Sequence, residues 1–391
     1  MGKERDNENY EWRLMLKKID FYIIKLQILP FLGSILVITT VLLLDKIFEL
    51  MDLLIRKGVP IDIVLKLFIY ALPFILSLSV PMAMLVGSLI AFGNISQNFE
   101  IIAAKSCGIS LKRLLLGPII FAIIVFSFMV WFNDKVLPES NHRFKNLLID
   151  IYIKRPIAQI KAGLFNEVGN YKLYIGNKED RSGYIEDVRI YDISDYGKTF
   201  ITAKYGYIKS LQDSVLIFDL RNGQIHQFLD GFVDKYRIVS FDNYQVIVKL
   251  DISMQLRERE FRGDREMSIA QLLEEYKKKK EEYEKTNDSE LKKYQKKRMN
   301  QIMVEIHKKI SMPFAAIVFV ILSAPISSMI KRGGFGPALG ISFIIFTIYY
   351  IFLIGGEELA KKNLINGALA MWFPNIFFFI IALYLIKREE Y

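Results

Sequence analysis

Six stretches of this chain are too long and too apolar to be elements of a water-soluble core: residues 22–44, 66–93, 114–132, 310–330, 335–355 and 367–386. A hydrocarbon core of about 30 Å is crossed by roughly 20 apolar residues wound as a helix. Inside lipid, only helices and closed barrels satisfy every backbone polar group. The chain therefore reads as a membrane α-helical protein of about six transmembrane helices, interrupted after the third by a far more polar region, residues 134–306. The first run is expected to remain as an anchor. Its apolar stretch exceeds the usual ~7–15 residues of a signal peptide, and no small-x-small cleavage site follows.

Few residues suggest chemistry. The one cysteine, Cys107, excludes an intrachain disulfide. His142, His226 and His307 are scattered without metal-ligand spacing. No phosphate-binding loop, nucleophile elbow or H-E-x-x-H occurs. The reading is a non-catalytic protein with no cofactor and no metal. A net charge of +10 raises the question of nucleic acid. The excess is spread over tails, loops and one helical segment, without a nucleic-acid-binding motif. Contact with anionic lipid is the better use of it.

Six spans put both termini on one side. That side carries Arg13, Lys17, Lys18, Lys105, Lys112, Arg113, Lys331, Arg332, Lys387 and Arg388, against Lys46, Arg56, Lys57, Lys361 and Lys362 in the opposite short loops. Basic residues mark the cytoplasmic side, so the termini and the 94–113 loop are expected inside and region 134–306 outside. The lysine-rich stretch 271–309 opposes this, but long translocated domains follow the rule poorly. Almost no ionisable residue falls mid-span, where an ion-coupled carrier binds its ion. Energy for transport would have to come from elsewhere.

Two spans carry irregular features. Pro73 and Pro81 in the second each remove a backbone donor and tend to kink it. Gly336 and Gly340 open the fifth with a small-xxx-small face. That face serves either packing within one subunit or a subunit contact that opens and closes.

From about residue 157 to 252 the apolar period becomes two, as in QVIVKLDI (245–252), where Val246, Val248, Leu250 and Ile252 face one way and Ile247 breaks the pattern. Turn signals recur at Gly169-Asn170, Asn222-Gly223, Asp230-Gly231 and Asp242-Asn243. Asn222-Gly223, between LIFDLR and QIHQF, predicts a hairpin. The expectation is an inserted antiparallel β jelly-roll-like domain or sandwich over 134–265. A charged helical segment follows over 266–306, with Ser268 and Gln271 as a capping box and a break at TNDSE (286–290). Residues 1–133 and 307–391 form the two membrane halves.

The stretch NISQNFEIIAAKSCGISLKR, 94–113, joins the second and third spans. Ser96 is placed to cap a short helix over about 95–108, and Gly108 to end it in a left-handed turn. Phe99, Ile102, Ala103 and Ser106 share one face, with Glu100 and Ala104 beside it. Two uses are open: a helix lying in the headgroup layer, or one docking into a groove on a cytoplasmic partner.

The order three spans, β domain, three spans resembles the LptF/LptG permease family. So do VPMAMLVGSLIAFGNISQNFEIIAAKSCGIS (80–110), FNDKVLPESN (132–141), GLFNEV (163–168) and EIHKKISMPFAAIVFVILSAPIS (305–327), which with the intervening spans cover nearly the whole chain. The resemblance implies a permease subunit of an ABC transporter in the cell inner membrane. Two such permeases sit on a dimeric ATPase, LptB, extract lipopolysaccharide and pass it through periplasmic jelly rolls toward LptC and LptA. It implies that 94–108 is the coupling helix, with Glu100 at its acidic position and Phe99, Ile102 and Ala103 on the contact face. It implies that the first and fifth spans line a lateral opening, with Gly336 and Gly340 at the gate. Lys46, Lys135 and Arg143 are the candidates for lipid A phosphates. Lys105 and Lys308 stand where the family leads one to expect arginine, and Asn94 where it leads one to expect a base. The alternative is a membrane-anchored periplasmic assembly protein that binds a partner and moves no lipid.

Overall fold

The computed structural model describes residues 18–55, 59–154, 160–168, 170–179, 182–192, 199–211, 215–228, 236–249, 261–286, 288–329 and 335–390. They fall into two compact units, 1–44 with 72–141 and 263–391, and 45–71 with 142–262. The helices are α1 (Lys18–Ile55), α2 (Ile61–Gln97), α3 (Glu100–Ser106), α4 (Leu111–Leu114), α5 (Leu116–Lys154), α6 (Ile269–Lys285), α7 (Ser289–Met329), α8 (Phe335–Lys361) and α9 (Gly367–Glu390). Six helices are long and apolar enough to cross a membrane: α1, α2, α4 with α5, α7, α8 and α9. At 38 residues, α1 is about 57 Å long, well beyond a hydrocarbon core of about 30 Å. Pro73 and Pro81 both lie inside α2, which continues through them.

In the first unit α7 is the central helix: 72% of its most apolar window is buried, against 28–39% for the other five. Small residues let its neighbours approach, and Ala315, Ala316, Phe319, Val320 and Ala324 are buried together with Phe92 and Ala382. Because lipid tails are as apolar as leucine, packing and hydrogen bonds between helices, rather than hydrophobic burial, hold such a bundle. The Gln27 amide donates to Ser88 Oγ at 2.7 Å, Ser327 Oγ donates to the Leu89 carbonyl at 3.1 Å, and the Asn375 amide donates to the Ser311 carbonyl at 2.9 Å. Two glycines set the closest approaches. A Cβ at Gly87 would lie 2.9 Å from Phe31 Cα, and one at Gly117 would lie 2.8 Å from the Asp20 carbonyl oxygen.

The outer part of this unit folds as the sequence predicts. Ser268 Oγ accepts from the Gln271 N–H while the Gln271 side chain accepts from the Ser268 N–H, the expected capping box of α6. That helix ends at Lys285 and α7 begins at Ser289, so the break falls within TNDSE. Arg298 clamps the turn, donating to both Asp264 oxygens at 2.6 Å and to Glu275 at 2.7 Å. The lysine run is largely a solvated face, with Lys278 and Lys279 paired to Glu274 and Glu282 on their own helix.

The second unit holds the outer ends of α1, α2 and α5 and one antiparallel sheet. The helical ends bury Leu50, Leu53, Val59, Val64, Leu67 and Ile151. The sheet has six strands in chain order, β1 (Phe165–Val168), β2 (Tyr171–Glu179), β3 (Tyr184–Asp192), β4 (Thr199–Leu211), β5 (Val215–Phe228) and β6 (Tyr236–Lys249). The expected inserted β domain is thus present, as a single meander among the described residues. Its buried cluster draws on every strand plus Ile160, and Leu173, Ile175, Ile185, Ile190, Leu216, Phe218, Leu220 and Val248 are wholly buried. A flat single layer would leave that face open to water. Ile160 is the one described residue of this cluster outside the strands, and no second sheet occurs among the described residues.

The pairing is interrupted along one line across the sheet. Gly176, Asp187, Lys204, Asn222 and Asp242 stand opposite one another in a row across β2 to β6, and regular pairing skips this row at every strand junction. Asp187 and Asn222 have φ of 47° and 52°. The apolar alternation shifts by one residue as each strand crosses the row. Ile185 is followed by Val188 and Ile190, Ala203 by Ile208, and Leu220 by the partly buried Ile225. Asn222-Gly223 is therefore not a hairpin: β5 runs straight through it. The left-handed tolerance of asparagine that makes Asn-Gly a turn signal serves here to crease a strand. The Asp242-Asn243 signal marks the same crease in β6. Gly169-Asn170 does separate two paired strands, with Val168 opposite Tyr171, although Gly169 itself lies outside the described residues. Asp230-Gly231, Leu250 and Ile252 also lie outside them.

Candidate functional site: the loop helix and the polar end of the bundle

The loop helix differs from its expected form at one end. Ser96 does not cap it, because α2 continues to Gln97. The chain instead turns at Phe99, which adopts φ 61° and stands at the N-cap without a side-chain hydrogen bond. A left-handed phenylalanine costs about 1–2 kcal/mol relative to ordinary backbone. The other end is as expected. Gly108 has φ 79°, and the Ile109 N–H donates to the Ala104 carbonyl at 2.9 Å.

The faces of α3 separate cleanly. Ile101 is buried and Ala104 packs on the bundle core. The opposite face presents Phe99, 69% exposed, Ile102, 60% exposed, and Ala103 and Ser106, also exposed. Phe99 at the N-cap and Ile102 within this seven-residue helix thus leave two large apolar side chains uncovered among the described residues. Glu100 sits at the edge of this face. Its carboxylate accepts from Tyr22 Oη at 3.1 Å and from the Asn98 amide at 3.2 Å, so α1 fixes its position. Lys105, on the other flank, donates to the Glu389 backbone carbonyl at 3.3 Å.

The helix after the loop is anchored by charge. Ser110 Oγ accepts from the Arg113 N–H, capping α4. The Arg113 guanidinium donates to both oxygens of Asp20, at 2.5 and 2.8 Å. Sequence inspection counted Arg113 only as a topology charge.

The other predicted residues are divided between the two units. Gly336 and Gly340 are exposed, and a Cβ at either meets nothing within 4 Å. Among the described residues, neither is a packing glycine. Of the phosphate candidates, Lys46 is paired at 2.6 Å with Glu49 on its own helix, and Lys135, 60% exposed, lies 3.1 Å from Asp134. Arg143 is exposed and engaged in further interactions of its own. Lys135 belongs to the first unit, Lys46 and Arg143 to the second.

A polar cluster was missed. Glu357, nearly buried in the last turns of α8, accepts from Lys308 at 2.5 Å, Lys361 at 2.6 Å and Arg265 at 3.2 Å. Arg265 also approaches Glu305 at 3.5 Å. Burial alone would lower the pKa of the Arg265 guanidinium, and Glu305 and Glu357 outweigh that and raise it. The buried Lys309 donates to the Asn133 backbone carbonyl at 3.0 Å. These groups border a cavity of about 240 Å³ whose other walls include Leu137, Met312, Tyr350 and Leu353. The available signal was Glu357-Glu358 directly after Gly355-Gly356 near the end of an apolar helix, facing the Lys308-Lys309 pair. No cluster of three or more potential metal ligands occurs among the described residues.

Comparison with known proteins covers almost the whole molecule. The model of the family described as lipopolysaccharide export system permease LptF/LptG matches residues 21–388. The lipopolysaccharide export system permease protein LptF of Escherichia coli K12 is 16% identical over 371 residues, covering 93% of each chain. The LptF proteins of Escherichia coli O157:H7 and Shigella flexneri match to the same extent.

Proposed function

The chain belongs to the LptF/LptG family of lipopolysaccharide export permeases, and from that premise we propose that it is the non-catalytic membrane subunit of an ATP-driven lipid extractor. It is a multi-pass inner-membrane protein with its central β domain in the periplasm. The proposal adds a division of labour. A separate LptB-type ATPase dimer hydrolyses ATP in the cytoplasm. This chain pairs with a second LptF/LptG-type permease, and the pair lifts lipopolysaccharide out of the inner membrane. The lipid then leaves through the β domain to LptC- and LptA-type proteins.

The observation that supports this best is the loop helix. It is braced from behind by Ile101 and Ala104 and offers Phe99 and Ile102 outward on the cytoplasmic side. An apolar helix face in a groove is a common way to join two proteins, and motion of the ATPase would reach the spans through the Glu100–Tyr22 and Arg113–Asp20 contacts with α1. The open faces of Gly336 and Gly340 suit close approach by another helix, as expected of a gate between paired permeases. Lys46, Lys135 and Arg143 remain candidates for lipid A phosphate. In that role Lys46 would exchange Glu49 for the ligand.

The test is co-purification in mild detergent of the wild type and of Glu100→Lys, probing for an ATPase and for bound lipid A. Recovery of the ATPase with the wild type and its loss with the variant, lipid A being present, is the expected result. An ATPase recovered equally with both would remove Glu100 from the contact. Absence of ATPase and lipid from both would favour an anchored assembly protein.

A further inference from the structure

At the cytoplasmic end of the bundle a groove of about 530 Å³ runs between α5, α7 and α9. Its walls are apolar. Leu115 and Ile386 form a buried floor, and Phe379 and Leu383, 39% and 48% exposed, stand open toward the membrane. Two lysines complete the lining, Lys112 on α4 and Lys387 in the last turn of α9. Phe379 lies eight residues before Lys387 on one helix, so at 1.5 Å per residue the groove extends about 12 Å into the bilayer from its cationic mouth. Among the described residues no acid is paired with Lys387, Glu389 on the same turn does not line the groove, and Lys112 makes an interaction of its own that a bound anion would have to share.

We propose that this groove binds an anionic phospholipid of the cytoplasmic leaflet, its phosphate between Lys112 and Lys387 and the upper part of one acyl chain along Phe379 and Leu383. The order of chemistry along the groove, cations at the water end and hydrocarbon beyond, is that of a phospholipid entering from this leaflet. Basic pockets between spans on the cytoplasmic side recognise such head groups. A soluble anion would not need the apolar walls, and an uncharged lipid would not need the lysines. The site is also placed to matter. Lys112 follows the loop helix by a few residues, and the Lys105 side chain already reaches the Glu389 carbonyl at the end of α9. A phosphate shared by Lys112 and Lys387 adds a second tie between these segments, so the bound lipid stiffens the seat of the loop helix.

The experiment is native mass spectrometry of the purified full-length chain, stripped of lipid in detergent and titrated with phosphatidylglycerol or phosphatidylcholine. The expected preference for phosphatidylglycerol is about fivefold for each lysine, the size of one basic side chain's attraction to an anionic membrane surface. It should vanish in Lys112→Gln with Lys387→Gln and survive in Lys112→Arg with Lys387→Arg, which shows that lost charge rather than misfolding is responsible. Equal retention of the two lipids would overturn the proposal in favour of ordinary annular lipid. So would a preference that persists in the double glutamine variant. Efficient cross-linking of two copies through Leu383→Cys in a Cys107→Ser background would overturn it in favour of a protein occupant.

Discussion

The Arg113 guanidinium grips the Asp20 carboxylate with two parallel hydrogen bonds, although 93 residues separate them in the chain. The Asp20 side chain is wholly buried and that of Arg113 is 17% exposed. The pair locks the first turn of α1 to the segment that follows the loop helix. Removing one partner strands a buried charge, which costs about 3–5 kcal/mol. Arg113→Ala is expected to lower the stability of the detergent-solubilised protein by that amount. Arg113→Lys should restore only part of it, because an ammonium cannot reproduce the fork. Denaturant titration of the three proteins checks this.

Glu357 is the hub of the outer cluster, serving Lys308, Lys361 and Arg265 together. Glu357→Gln keeps the shape and removes the charge, leaving three cations around a neutral amide. A loss of about 3–5 kcal/mol is expected. Hydrogen exchange should quicken first in residues 263–268, where Arg265 loses a tether to α8. An unchanged exchange pattern would mean that the cluster does not hold that segment.

Phe99 combines strain with exposure. Phe99→Gly relieves a left-handed phenylalanine at a gain of about 1–2 kcal/mol, against roughly 0.5–1 kcal/mol of lost chain entropy. Stability should therefore hold or rise slightly, while recovery of the ATPase falls by tenfold or more. Side chains kept against local strain at contact sites behave in this way. Loss of stability together with binding would point to a structural role instead.

The glycines divide by what surrounds them. Gly87→Ala places a Cβ 2.9 Å from Phe31 Cα and should cost about 1–3 kcal/mol through overpacking. Gly340→Leu enters open space and should leave folding untouched. On the proposed pairing it should weaken association with the second permease. Thermal melts and pull-down of differently tagged permeases separate the two effects.

At the crease, Gly223→Ala would drive a Cβ into the Thr202 carbonyl oxygen and the Phe241 ring. It should destabilise the β domain by about 1–3 kcal/mol or more. Asn222→Gly should be tolerated at φ 52°, and Asn222→Val should cost about 1–2 kcal/mol. Hydrogen-exchange protection of β4 to β6 in the full chain is the readout.

How legible this molecule is from its residues depends on the range of the interaction. The spans and the Ser268 capping box rest on composition and on contacts three residues apart, and both are readable directly. The exposed face of α3 follows from helical periodicity once its ends are known, so Phe99, Ile102 and Ala103 were identifiable. The start of α3 was not, because Ser96 is a good cap in isolation and only the continuation of α2 excludes it. The Asn222-Gly223 signal failed for a similar reason. An asparagine that tolerates positive φ marks where a chain bends, and the neighbouring strands decide whether it reverses or merely creases. The Lys308–Glu357, Arg265–Glu357 and Arg113–Asp20 contacts join residues 49 to 93 positions apart, beyond the reach of any local pattern.

The crease also restricts how a β domain of this kind can change over generations. Deleting one residue at Asn222 would return β5 to a regular pleat while its neighbours kept their offset, turning Leu216, Phe218 and Leu220 toward water or else Ile225. The fault could be repaired only by matching deletions in β2, β3, β4 and β6, and selection rarely sees five such events at once. Substitutions that keep the crease can accumulate along this row, and whole strands can lengthen at their tips, while the row itself is held at one address in the sheet by the arithmetic of insertion and deletion.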